Sequence, residues 1–147
     1  MTTFNYTVNV SEQPKQQAAL GVDANNKLDE NDVDKLVKLA ANQNYVVAST
    51  GNDIEGQVVT VEPFTVNDGF SFGTVAVGGR MQVEVAAAEV GTLAIGDFVV
   101  AGIQGTIGTK TPGYVIAGAG SVFKWRVIRH VTGAGDAGDT VLIERVS

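Results

Sequence analysis

Cysteine is absent from the 147-residue chain. That excludes disulfide staples, thiolate zinc sites and a cysteine nucleophile. His130 is the one histidine, so no cluster of imidazoles is available to hold a metal. Charged residues make up only 18%, while hydrophobic ones reach 44%, a balance that excludes a wholly disordered chain. Bases are scarcer than acids, 10 against 16, for a net charge of −6. A pI near 4.6 argues against a nucleic-acid binder that works by neutralising phosphates. Apolar runs extend over a few residues only, too short to span a membrane. The opening Met1-Thr2-Thr3-Phe4 lacks the basic start and apolar stretch of a signal peptide. A soluble, intracellularly made protein with no membrane partner is expected.

What the chain has in excess is glycine, 18 residues in all. Its length predicts one domain with a short appendage, large enough to bury roughly two thirds of the unfolded surface without staples. The middle of the chain is acidic: residues 44–120 carry seven acids and two bases. Residues 121–147 reverse the sign, with three acids and four bases.

Alternation marks the beginning. Phe4, Tyr6, Val8 and Val10 occupy every second position, which predicts a strand with one apolar face. The polar stretch from Ser11 to Gln17, broken by Pro14, reads as a linker. Residues 1–20 are therefore expected to form an N-terminal arm and linker ahead of a domain over 21–147. Such a strand either pairs with a sheet edge on another molecule or folds back as the first strand of its own sheet. Phe4, Tyr6, Val8 and Val10 are the candidate contact residues.

One α-helix is predicted over 29–42. Val33, Leu36, Val37 and Ala40 form an apolar stripe, Asp29 or Asn31 supplies a cap, and acids crowd the first turn. From Tyr45 onward strands follow one another, punctuated by Asn67-Asp68-Gly69, Gly78-Gly79, Thr111-Pro112-Gly113 and the glycines near 133–138. Short strands with turns every 8 to 12 residues predict a mainly β fold, a sandwich or barrel body carrying that one short helix.

Several patterns imitate functional sites. Gly133-Ala134-Gly135-Asp136-Ala137-Gly138 matches the dinucleotide fingerprint, but a strand, not a helix, follows it. Gly69-Phe70-Ser71-Phe72-Gly73 has the form of a nucleophile elbow, with Asp97 and His130 in hydrolase order. Strand residues follow there too, so Ser71 reads as an outward residue between inward phenylalanines. The acidic stretch Asp23 to Asp29 opens like a calcium loop but has Lys27 and Leu28 where a ligand and the turn glycine belong. Phe123, Trp125 and Val127 alternate with Lys124 and Arg126, which reads as a core face backed by an exposed basic one. No catalytic group, cofactor or metal ligand is left standing, and no enzymatic activity is expected.

The stretches Ile54 to Pro63, Phe72 to Gly79 and Val90 to Val100 resemble the head decoration, or cement, proteins of tailed bacteriophages. Lys124 to Ile128 and Thr140 to Val146 fit the same pattern, and the resemblance covers residues 45–147. It implies a structural virion protein that binds the outer capsid surface and bridges neighbouring major capsid subunits. It also implies self-association, as a homotrimer more than a dimer, with no cofactor. The alternative is a carbohydrate- or ligand-binding β module of a phage tail or fibre, with Tyr45, Tyr114 and Trp125 as groove aromatics.

Overall fold

The computed structural model describes residues 15–21, 27–41, 43–62, 71–87 and 91–146. The fold is mainly β, with ten strands and no long helix among these residues. The strands are β1 (Lys15–Leu20), β2 (Leu36–Leu39), β3 (Tyr45–Val47), β4 (Gly56–Val61) and β5 (Ser71–Ala76). They continue as β6 (Arg80–Val85), β7 (Phe98–Ala101), β8 (Tyr114–Ala117), β9 (Trp125–His130) and β10 (Thr140–Arg145).

They close into two barrels of five strands each. The first ring runs β1-β3-β2-β4-β5, and β5 pairs back onto β1. The second runs β6-β8-β7-β9-β10, and β10 pairs back onto β6. The two rings are the same topology written twice. In each, the first and third strands are parallel and every other pairing is antiparallel. A register shift also recurs at the same place: β4 skips Val59 against β5, and β9 skips Ile128 against β10. The strand openings Tyr45, Gly56 and Ser71 reappear as Tyr114, Trp125 and Thr140 with identical spacing. This pattern is that of an internal duplication.

Each barrel has its own apolar centre, but the second borrows from the first. Leu20, Leu28, Val37, Tyr45, Val58, Val61 and Val75 fill the first. Trp125, Val127, Val83, Val99, Val115, Val141 and Ile143 fill the second, joined by Leu36, Ala48 and Ile54 from the first barrel's chain. The Trp125 indole N–H donates to the Ile54 carbonyl (2.9 Å), satisfying the one polar atom of the largest buried side chain. The two rings are therefore interlocked.

Two expectations are corrected here. The stretch Lys15 to Leu20, read as linker, is the first strand of the first barrel, in register with Ser71 to Ala76. The predicted α-helix over 29–42 is a single 3-10 turn, Glu30–Asp32, followed by strand β2. Its cap was legible. The Asp29 carboxylate accepts from the Asn31 N–H, and the Asp32 carboxylate accepts from the Asp29 N–H. The chain leaves the turn at Val33 (ψ 141°), and Asp34, at φ +81°, bars a right-handed helix from resuming. The apolar stripe arises because β2 is buried on both faces, Val37 in the first core and Leu36 in the second. Adjacent buried residues on a two-sided strand imitate the spacing of a helix face.

Candidate docking surface

Phe4, Tyr6, Val8 and Val10 lie outside the described residues, as do the Asn67-Asp68-Gly69 turn and most of the acidic stretch from Asp23. What the barrels show is that both rings are complete without the first fourteen residues. Among the described residues the parallel pair in each ring is short, Leu20 with Tyr45 in the first and Glu84 and Val85 with Tyr114 and Val115 in the second.

The residues that invited a hydrolase reading are apart in the fold. Ser71 is buried (4% exposed), and its hydroxyl donates to the Leu28 carbonyl within the first barrel. His130 belongs to the second barrel, its Nε2 2.7 Å from the Leu93 carbonyl oxygen. Asp97 is engaged locally by the Ala94 N–H. Ser71 was expected to face outward beside inward phenylalanines; instead Phe72 is 56% exposed and Ser71 points inward. The hydroxyl's bond to Leu28 is what makes the inward position tolerable for serine.

The glycine-rich stretch 133–138 is the turn between β9 and β10, organised by Asp139, whose carboxylate accepts from the Ala134 and Asp136 N–H groups. Gly135 is obligatory there: at φ +92° it also lies so close to the Leu93 carbonyl that a Cβ would overlap it. Among the described residues no three His, Asp or Glu side chains gather as a metal site. No helix among them is long and apolar enough to cross a membrane.

Of the three aromatics considered for a ligand groove, Trp125 and Tyr45 are core residues. Burial, reinforced by the charge on Glu55, pushes the Tyr45 phenol above its ordinary pKa. Trp125 and Val127 face the core while Arg126 and Arg129 face solvent, so the β9 stripe is not a base-stacking platform. Phe123 is half-buried beneath the Arg145 guanidinium, 4.5 Å from the ring centre. Glu144 aligns with Arg126 of β9, but its ion pair is with Arg80 of β6 (3.3 Å).

Tyr114 remains at the surface, in the wall of an apolar trough. The trough, about 810 Å³, runs over the outer face of β8. Val115 points into the barrel, so Tyr114 and Ile116 point out. Ala86 and Ala87 extend one flank, and Ile103 stands at the rim, 67% exposed. Among the described residues Glu84 is the only charged one in the wall.

The rim is held by buried polar groups that sequence reasoning passed over. Gln104 is 2% exposed and fully satisfied. Its Oε1 accepts from the Leu36 and Tyr114 N–H groups, and its Nε2 donates to the Gly102 and Tyr114 carbonyls. With Gln104 turned inward, Ile103 beside it is turned out. Lys35 and Asp32, both wholly buried, pair at 2.8 Å. The Lys35 ammonium also donates to the Thr109 carbonyl, and Asp32 accepts from the Gly108 N–H (2.8 Å). First-barrel residues thus fasten the 102–109 loop of the second barrel, and with it the trough's edge. A third clamp is Asp53, whose carboxylate accepts from the Ser121, Val122 and Phe123 N–H groups. None of these side chains stood out in the sequence, because Gln104 and Asp53, close to glycines, read as loop, and Asp32 and Lys35 read as the polar face of the predicted helix.

Comparison of the chain with protein families, curated proteins and solved structures gives no match.

Proposed function

We propose that the chain is a structural protein of a phage virion, located on the outer capsid surface, where it bridges neighbouring major capsid subunits and stabilises the head. The observation that carries this reading is the completeness of the two rings without residues 1–14. A segment with apolar residues at every second position, Phe4, Tyr6, Val8 and Val10, is not needed to close either barrel. Its pattern is that of a strand whose one apolar face is covered by another molecule.

The remaining features support an adhesive role. The body is closed and its two rings share core residues, which suits a part that transmits force between shell subunits. Its outer face keeps one apolar trough of a size that accommodates several side chains. Contacts repeated across two shell subunits multiply, so modest individual contacts give firm attachment. Self-association around the shell's local symmetry axes, as trimers or dimers, belongs to the same reading.

The test is co-sedimentation of the purified protein with emptied, expanded heads of the cognate phage. Saturable attachment that raises the melting temperature of the heads is the expected result. Protein left in the supernatant at all head concentrations would remove the reading.

A further inference from the structure

We infer that the trough over β8 receives residues 4–10 of a second copy of this chain. The inference selects the sister subunit, not the shell, as the seat of Phe4, Tyr6, Val8 and Val10. It is tested in free solution, so its failure and the failure of head binding are separate outcomes.

Three observations carry it. The first is complementarity of pattern. Tyr114 and Ile116 are alternate residues of one strand, so their side chains stand about 6.6 Å apart along the trough. Phe4, Tyr6, Val8 and Val10 repeat at the same interval when extended. Two strand faces of equal period interdigitate face to face, as the layers of a sandwich do. This mode uses side chains and needs no free ladder, which suits a closed barrel.

The second is the length of chain outside the described residues and where it joins. Fourteen residues precede Lys15, which pairs with Ala76 at the point where the chain leaves the first barrel for the second. Fully extended, residues 11–14 would reach about 13 Å and residues 4–10 about 23 Å.

The third is charge. Glu12 is the only side chain of residues 1–14 charged at neutral pH, and Glu84 is the only charged one among the described residues of the trough wall. Nothing in either surface repels or steers the other, so the contact is an apolar one and its strength should change little with salt. The arm and the trough are different surfaces of one chain, so their contact is head-to-tail. It closes when the rotation between copies returns to the start, and three copies form the smallest ring beyond a dimer.

Two full-length variants separate the surfaces. Phe4→Asp/Tyr6→Asp spoils the arm and leaves the trough; Ala87→Asp/Ile103→Asp spoils the trough at two exposed positions and leaves the arm. Sedimentation equilibrium of the unaltered protein should show a closed oligomer whose dissociation constant is similar at low and high salt. Each variant alone should associate roughly tenfold more weakly or worse, as loss of interface anchors does. Mixed in equal amounts, the two should form one-to-one dimers and nothing larger, since only one intact arm–trough contact exists between them. Circular dichroism melts matching the unaltered protein check that both variants fold. An unaltered protein that stays monomeric would overturn the inference, as would variants that associate normally or a mixture that yields no dimer.

Discussion

The Lys35 ammonium lies 2.8 Å from the Asp32 carboxylate, and neither side chain is exposed. A buried pair of this kind is weak evidence of net stability, but breaking it leaves one charge stranded out of water. Lys35→Met is expected to lower unfolding free energy by about 3–5 kcal/mol in urea titrations. The simultaneous Asp32→Leu/Lys35→Met change should cost clearly less, because no orphaned charge remains. Hydrogen exchange should locate the loss at the backbone around 105–110, the loop the pair fastens.

Gln104 makes four hydrogen bonds, two donated and two accepted, and the one from the Leu36 N–H joins the barrels. Gln104→Ala strands backbone groups of Leu36, Gly102 and Tyr114 and is expected to cost about 3 kcal/mol. Gln104→Glu keeps the shape but sets a carboxylate against two carbonyl oxygens. It should be about as damaging at neutral pH, and partly recovered in acid, where a protonated oxygen again donates. Chemical denaturation at two pH values measures both.

Asp53 gives the fold a sign-defined pH dependence. Burial alone would raise its pKa, but the Val122, Ser121 and Phe123 N–H groups and the nearby Lys124 outweigh that and hold it below the ordinary value. A carboxyl lowered by folding contributes stability above its unfolded pKa, about 4, and loses it as pH falls through the folded value. Asp53→Asn is therefore expected to be less stable than the unaltered protein at pH 7, with the difference shrinking as the pH drops below about 4. Thermal melts across pH 2.5–7 read this directly.

Ser71 is the position at which a hydrolase reading is cheaply tested. Its hydroxyl is committed to the Leu28 carbonyl, and the sole imidazole lies on the other barrel against Leu93. No labelling by a fluorophosphonate probe is expected. Ser71→Ala should cost about 1 kcal/mol of stability, the worth of one neutral hydrogen bond.

The strands from Tyr45 to Arg145 were legible because each alternates or is apolar between turn residues, as in Met81 to Val85 and Tyr114 to Ile116. Strand β1 was not, since Lys15-Gln16-Gln17 presents polar residues behind Pro14, and Leu20 is the one large apolar side chain it buries. Leu36 and Val37 misled because they serve two cores at once. The repeat is carried by ring order, the parallel pair and the recurring bulge, features of register that the side chains do not spell out. Of the candidate contact surface, the arm's alternation could be read along the chain. The trough could not, because Ala86, Ile103, Tyr114 and Ile116 come from three separate segments that only folding brings together.

Removing residues 1–12 tests most directly whether this molecule is a finished body with an adhesive arm. The shortened chain is expected to melt within a few degrees of the full-length protein, since both rings close without those residues, yet to leave expanded heads undecorated. Attachment at undiminished affinity, or collapse of the fold on truncation, would contradict the account.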